Sequence, residues 1–156
     1  MTARQTFYTF LAIAVLALAT SGATARAADG VILVASKNDV KTTANKLEKI
    51  LTEKGVTVFA RVNHAAGAKS IGQSLRPMEL LIFGNPKLGT PLMQKNQEIG
   101  LDLPLKALIF EAENGTTYIA YNDPAYLSKR HGMTEPAKVF QQMSGALKNF
   151  TAAAAK

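Results

Sequence analysis

The chain has 156 residues, of which 18 are Lys or Arg and 11 are Asp or Glu, and it contains neither cysteine nor tryptophan. The absence of cysteine excludes disulfide scaffolds, thiolate zinc sites, iron–sulfur clusters and cysteine nucleophiles. Hydrophobic residues make up 47% of the chain and charged residues 19%, which argues against intrinsic disorder over most of it. A chain of this length buries one core, so we expect one domain.

The N-terminal segment has the pattern of a secretory signal peptide. Arg4 supplies a positive charge, residues 7–19 form an apolar run, and residues 25–27 (Ala-Arg-Ala) place small side chains where a signal peptidase reads them. At 1.5 Å per residue the run spans about 20 Å of helix, less than a hydrocarbon core of about 30 Å. We therefore expect cleavage near Ala27/Ala28, a periplasmic or secreted protein, and no stable membrane anchor after cleavage. The alternative is an uncleaved N-terminal anchor.

The positive charge does not indicate a nucleic-acid-binding protein. From Lys37 to Lys156 the cations are scattered among acidic residues and are not interleaved with aromatic residues. Since export also separates the protein from cytoplasmic nucleic acid, we expect no nucleic-acid partner and only a mild attraction to anionic surfaces.

The first half of the mature chain predicts a helix between two strands. Residues 31–35 (VILVA) are typical of a short buried strand. Apolar residues recur at helical spacing over residues 40–51, and Gly55 follows where a left-handed residue often ends a helix. Residues 56–62 alternate as a second strand, and the glycine-containing residues 65–77 predict a short helix and a loop.

The second half predicts a third strand, a short helix and a hairpin. Residues 79–83 (ELLIF) form the strand, and a helix lies within residues 88–99. Residues 105–113 and 116–121 flank Asn114-Gly115, the strongest signal for a two-residue hairpin loop. That loop pairs Glu113 with Thr116 and therefore sets the register of the whole hairpin.

The hairpin register predicts which side chains meet the helices. It places Phe110 opposite Ile119 and Leu108 opposite Tyr121 on the face toward the helices. The other face then carries a patch that we expect to be a dimer surface. Its members are Ile109, Tyr118 and Ala120, beside Glu111.

The C-terminal part predicts two helices. A short helix over residues 125–130 ends at His131, and Thr134 caps a last helix with Pro136 in its first turn. We expect the chain to fray from Ala152 to Lys156. The inner stripe of the last helix is Val139, Phe140, Met143, Leu147 and Phe150.

These elements predict an α+β fold, a two-layer sandwich with a mostly antiparallel β-sheet and helices packed on one face. The alternation of strands and helices is too irregular for a doubly wound parallel sheet. We expect a cleaved signal peptide over residues 1–27, one domain over residues 28–152, and a frayed tail over residues 153–156.

Several segments of the chain together form a specific pattern. They are residues 76–93 (RPMELLIFGNPKLGTPLM), 102–105 (DLPL), 121–124 (YNDP) and 129–132 (KRHG), with His64 after the second strand. In this combination they resemble the DUF302 family of uncharacterised small domains. The resemblance spans about residues 31–150, and it implies an α+β sandwich, often dimeric, without an established activity.

The two histidines, His64 and His131, are the first candidates for chemistry. Imidazole titrates near neutrality and binds transition metals, so either residue suits a general base or a metal ligand. A metal site needs further ligands, for which Asp123, Glu111 or a Met is available. The alternative is structural: a hydrogen bond that positions a loop, and for His131 a place at a helix C-terminus.

A second candidate is the segment over residues 84–90 (GNPKLGT), which leads into a predicted helix. Free N–H groups at a helix start accept anions, and Lys87 adds a positive charge. Pro86 and Pro91 lack N–H groups, which weakens a phosphate cradle. The favoured interpretation is turn chemistry, with Asn85 forming a local side-chain bond.

A third candidate is a small polar pocket bounded by Tyr121, Asn122, His64 and Asn85. Asp123 is interpreted as a cap of the following helix as well as a possible ligand contact. The serines lack a G-x-S-x-G frame, so no nucleophilic triad is predicted.

The leading hypothesis is an exported, non-enzymatic module that binds a small molecule, a metal ion or a second copy of itself as a homodimer. The alternative is a hydrolase- or isomerase-type enzyme with a histidine general base, and a third class is a passive structural envelope protein. No cofactor is indicated. The candidate ligand-binding residues are His64, Asn85, Lys87, Tyr121, Asn122, Asp123 and His131, and the candidate metal ligands are His64 and His131.

Overall fold

An antiparallel sheet of five strands, in the order β1-β5-β4-β3-β2, forms one layer of the molecule. The computed structural model describes residues 27–133 and 137–156; the predicted signal peptide and the predicted cap Thr134 and Pro136 lie outside the described residues. The strands are β1 (Val31–Ser36), β2 (Thr57–Asn63), β3 (Met78–Gly84), β4 (Leu105–Glu111) and β5 (Thr117–Asn122).

Two longer and three shorter helices complete the fold, which confirms the predicted α+β class. None of the helices within the described residues is long and apolar enough to span a membrane. The helices are α1 (Val40–Glu53), α2 (His64–Ser70), α3 (Pro86–Lys95), α4 (Pro124–Arg130) and α5 (Ala137–Ala154), with a 3₁₀ turn at Gln97–Leu101 between α3 and β4.

Helix α1 shows how local sequence sets an element. The Asp39 carboxylate accepts a hydrogen bond from the Thr42 backbone N–H at 2.7 Å, which satisfies one of the free donors at the helix start. The same bond lowers the pKa of Asp39, because it favours the charged carboxylate. At the other end, Gly55 adopts a φ of +68°, as the sequence predicts for a helix stop.

The main hydrophobic core lies between α1, α5 and the face of the sheet that they cover, here called the inner face. Alternation along β3 directs Leu81 and Phe83 to this face, and both are buried. Leu47 of α1 and Leu147 of α5 close the core from the helix layer. The opposite side of the sheet is called the outer sheet face.

The hairpin corrects one prediction about the sheet. Ala112 pairs with Thr116, and the Gly115 N–H bonds the Ala112 carbonyl at 3.0 Å, so the loop has three residues rather than two. Gly115 adopts a φ of +77°, as a three-residue hairpin loop requires. The register therefore slips by one residue, which turns the side chains of β4 to opposite faces.

The slip changes the faces of β4 only. Ile109 pairs with Ile119 on the inner face, where both are fully buried, so the prediction that Ile109 belongs to a dimer surface is wrong. Phe110 and Leu108 lie on the outer sheet face, not against the helices. Tyr121 is on the inner face, as predicted.

The C-terminal residues pack rather than fray. Helix α5 continues to Ala154, and both Ala154 and Ala155 are buried in the main core. The Lys37 backbone N–H donates to the Ala155 carbonyl at 2.9 Å, which ties the chain end to the residue after β1. The expected frayed tail is therefore not observed over these residues.

Arg61 links α1 to the sheet. Its Nε donates to Glu79 at 2.5 Å, and its Nη1 donates to Glu48 at 2.9 Å and to Asn45 at 2.7 Å. The Glu79 side chain is 10% exposed. Arg61 therefore compensates a nearly buried carboxylate on the inner face of β3.

Candidate functional site

The family-like segments from Gly84 onward converge at one end of the sheet. Strand β3 ends at Gly84 beside the start of β4, and α3, the 3₁₀ turn, α4 and part of α5 gather around this end. They share a second hydrophobic cluster, separate from the main core. Its buried members are Leu92, Ile99, Leu103, Leu127, Met133, Phe140 and Met143.

A buried histidine–aspartate pair holds these elements together. His131 follows α4, and its Nε2 lies 2.6 Å from Oδ2 of Asp102, which follows the 3₁₀ turn. The two side chains are 5% and 9% exposed. The distance between Nε2 and Oδ2 is that of a hydrogen bond. Arg130 approaches the same oxygen at 3.5 Å.

The backbone around this pair is also bonded between elements. The Asn96 side-chain amide donates to the His131 carbonyl at 3.2 Å, which ties the end of α3 to the end of α4. Lys106 Nζ lies 3.5 Å from the Asp102 carbonyl. His131 thus occupies a structural junction, which is the alternative considered from the sequence.

A cavity of about 170 Å³, here called the α3 cavity, opens beside α3 at the same end of the sheet. Its walls come from the start of α3, the approach to β4, Phe59 of β2 and Met143 of α5. The side chains that line it are apolar except for those of Asn85 and Thr90. Its lining residues are Phe59, Gly84, Asn85, Pro86, Leu88, Gly89, Thr90, Met93, Leu103, Pro104, Leu105 and Met143.

The start of α3 is a capped helix terminus rather than an anion cradle. The Asn85 side chain accepts from the Lys87 N–H at 2.9 Å. The Asn85 carbonyl accepts from Leu88 and Gly89 at 2.9 and 3.0 Å, and Pro86 has no N–H. Because the donors at the helix start are already engaged, nothing here favours a bound phosphate. Lys87 is exposed to solvent.

The residues at the end of β5 serve the fold. Tyr121 is buried on the inner face, and this burial raises the pKa of its phenol. Asp123 caps α4 by accepting from the Ala125 N–H at 2.9 Å, as the sequence suggests. Asn122 ends the strand and is half-buried.

His64 lies at the opposite end of the sheet from Asn85. It starts α2 directly after β2, where Asn63 pairs with Glu79, whereas Asn85 follows the Gly84 end of β3. These positions are about 17 Å apart along the strand at about 3.3 Å per residue. The register therefore does not bring His64 into a pocket with Asn85.

The structure gives no geometric support to a metal site on either histidine. Within residues 27–133 and 137–156, no three His, Cys, Asp or Glu side chains are grouped so that they could hold a metal ion. His64 is exposed, and His131 has Asp102 as its side-chain partner. A metal bound by His64 or His131 stays a prediction.

The outer sheet face is mainly apolar across its central strands. Leu108 of β4 lies at its centre, between Leu80 of β3 and Ala120 of β5. Phe110 stacks on Tyr118, with ring centroids 5.9 Å apart. These side chains are half-buried.

The helices and one lysine limit this apolar surface. Within residues 27–133 and 137–156, α1 and α5 pack on the inner face of the sheet. Lys106, which pairs with Ile82, is the charged residue that β4 places on the outer sheet face.

Sequence reasoning missed Asp102 and most of the cavity wall. Asp102 lies in the DLPL segment, whose resemblance to a family pattern was the available signal, but its partner His131 is 29 residues away. Gly89 lies in the family-like segment over residues 76–93, yet nothing in its sequence context distinguishes a cavity wall from a turn. Phe59 and Met143 carry no local signal at all.

Comparison with known families and structures agrees with the fold. The profile described as "Domain of unknown function DUF302" matches residues 32–150. The chain is also similar in structure to an uncharacterised conserved DUF302 protein from Bacillus stearothermophilus. That likeness has a TM-score of 0.65 at 23% identity and covers 82% of this chain and 97% of the other. At this identity it supports the fold alone.

Curated relatives are longer proteins. Over 104 residues, 67% of this chain, the sequence is 45% identical to a protein of Brucella suis biovar 1 (strain 1330) named "Fluoride-specific ion channel FluC 1". A protein of the same name from Brucella abortus biovar 1 (strain 9-941) matches with the same identity and length. The matched segment is 41% and 38% of these relatives, so the chain spans less than half their length.

Proposed function

Because the chain belongs to the DUF302 family, whose activity is undefined, we propose a function from its surface: a non-enzymatic module that forms a homodimer through the outer sheet face. The observation that carries the proposal is the run of apolar side chains that β3 and β4 place on the outer sheet face, whereas α1 and α5 cover the inner face within the described residues. These side chains are Leu80, Ile82, Leu108 and Phe110, with Lys106 beside them. An antiparallel sheet with one face in water normally alternates apolar with polar residues.

The outer sheet face is large enough to form most of a dimer contact. Five strands at about 4.8 Å spacing and seven residues at about 3.3 Å give a plane of about 550 Å². A stable interface buries about 800 Å² on each partner, so the sheet provides about two thirds of that area.

The centre of the face is the place to test the proposal. Leu108→Glu puts a carboxylate among apolar neighbours in the dimer but at a half-exposed position in the monomer. A matched control is Leu101→Glu, since Leu101 is 75% exposed on the 3₁₀ turn, away from the sheet. We expect sedimentation velocity to show Leu108→Glu as a monomer and Leu101→Glu as a dimer. Equal masses for the two variants would contradict the proposal.

An enzyme with a histidine base has less support from the geometry. A general base needs hydrogen-bond access to its substrate. His131 is buried with its Nε2 held by Asp102, and neither histidine lines the α3 cavity. Fluoride conduction is not carried over either, since the chain spans less than half the length of the relatives named for it.

Export is part of the same proposal. It is supported by the positive charge, apolar run and small residues that precede Ala28. N-terminal sequencing of the protein purified from its native host is expected to begin near Ala28. A chain that retains residues 1–27 would contradict it.

A further inference from the structure

We propose that the α3 cavity binds a small, uncharged, mainly apolar molecule of the size of a single aromatic ring. The cavity lies at the end of the sheet beside α3 and Met143 of α5, away from Leu108 at the centre of the outer sheet face. The proposal rests on three observations: the size of the cavity, the chemistry of its walls, and the glycines that leave it open.

The size of the cavity sets the size of its occupant. Its volume is about 170 Å³. An apolar protein cavity of about 150 Å³ accepts benzene, so a single ring fills this space and a drug-sized molecule exceeds it.

The walls set the polarity of the occupant. No Lys, Arg, Asp, Glu or His lines the cavity. The thioethers of Met93 and Met143 and the ring of Phe59 are polarisable groups that favour aromatic neighbours. The Thr90 hydroxyl and the Asn85 amide are its polar side chains, and the Asn85 oxygen already serves the Lys87 N–H. The site therefore offers little to an ion and accommodates at most a single polar substituent.

Two glycines leave this space open. A Cβ on Gly84 would lie 3.4 Å from Pro104 Cβ and 3.5 Å from Phe59 Cε2. A Cβ on Gly89 would lie 3.7 Å from Met93 Cε and 3.8 Å from Leu103 Cδ1, which are ordinary contacts. A side chain at Gly89 thus projects between two cavity walls without a clash at its first atom. Glycine is the poorest helix former after proline, so Gly89 lowers the stability of α3. In return, the absence of a side chain at Gly89 leaves the α3 cavity open.

A graded series at Gly89 tests the proposal. Gly89→Ala adds one methyl group and Gly89→Leu adds a side chain of about the size of the free space. The matched control is Gly145→Leu in α5, where a Cβ meets nothing within 4 Å. All three changes favour helix, so circular dichroism and thermal melting are expected to show folded proteins.

Binding is measured with toluene and phenol as probes, by chemical-shift titration of the ¹⁵N-labelled protein. We expect shifts confined to α3, the approach to β4 and Met143 in the wild type and in Gly145→Leu. Gly89→Ala should bind more weakly, and Gly89→Leu should lose at least about tenfold in affinity, since the leucine occupies the space of the ring. Absence of binding to the wild type, or equal binding by Gly89→Leu, would overturn the proposal.

Discussion

Replacing His131 by alanine tests whether the buried histidine is structural. The change removes the 2.6 Å bond to Asp102 and leaves that carboxylate, 9% exposed, with Arg130 at 3.5 Å. A hydrogen bond to a charged group contributes about 1.5–3 kcal/mol. Removing one partner of a fully buried ion pair costs about 3–5 kcal/mol, and the remaining arginine, half exposed, offsets part of this. We expect a loss of about 2–3 kcal/mol in the free energy of unfolding.

Urea denaturation measures this loss. With a slope of about 2 kcal/mol per molar urea, in the middle of the usual range, the midpoint should fall by about 1–1.5 M at unchanged slope. The matched control is His64→Ala, which alters an exposed residue and should change stability by less than about 0.5 kcal/mol.

A conservative variant and a double variant sharpen the test. His131→Gln keeps an N–H donor and should recover part of the loss. Removing Asp102 together with His131 should cost less than the two single changes added, because no unpaired carboxylate remains. If His131→Ala is as stable as His64→Ala, the structural role assigned to His131 is refuted.

Three further perturbations follow from the structure. Arg61→Met leaves the nearly buried Glu79 unpaired and should lower the free energy of unfolding in urea by about 3 kcal/mol. The loss should be smaller when Glu79→Gln is combined with it, and an unchanged free energy for Arg61→Met would contradict the link between α1 and the sheet. Burial raises the pKa of Tyr121 in the folded protein above its ordinary value of 10.0. The contribution of the Tyr121 phenol to the free energy of unfolding is therefore intact below pH 10.0 and is lost as pH rises through the higher folded-state pKa. In unfolding curves at alkaline pH, Tyr121→Phe should reduce this loss. Gly30 adopts a φ of +72°, and a Cβ there would lie within 3 Å of the Tyr126 ring, so Gly30→Ala should lower the melting temperature, whereas an unchanged melting temperature would refute that contact.

The parts of the fold that the sequence predicts well are those governed by neighbouring residues. Helix α1 has an apolar stripe and a glycine stop within one stretch of chain, and the structure has both. Strand β3 contains an apolar run over residues 80–83, which is followed by the turn residues Gly84 and Asn85. In both, the deciding interactions join residues close in sequence, so periodicity and capping rules suffice.

The hairpin shows where local rules fail. Asn114-Gly115 correctly marks the turn, but loops of two and three residues share this signal and differ by one step of register. A shift of one residue exchanges the two faces of β4, so Leu108 lies on the outer sheet face and Ile109 lies in the core, the reverse of the prediction. Burial between distant elements decides the register, and no local pattern encodes it.

The candidate site was less predictable than the fold. The Asp102–His131 pair and the α3 cavity are assembled from segments far apart in the chain, which meet only because α3, the 3₁₀ turn and α4 gather at one end of the sheet. Asp123 caps α4, as the sequence predicts, and Asn85 forms the local side-chain bond that its turn interpretation requires. Asparagine and aspartate before a proline signal a helix start, whereas convergence needs the topology.

A second copy of the chain is proposed to cover the outer sheet face. Sedimentation equilibrium of the wild-type protein over a wide range of concentrations is the decisive experiment. We expect a mass that rises to twice that of the monomer and stays there, with no larger species, because one closed face allows one partner. A monomer mass at every concentration would refute the dimer.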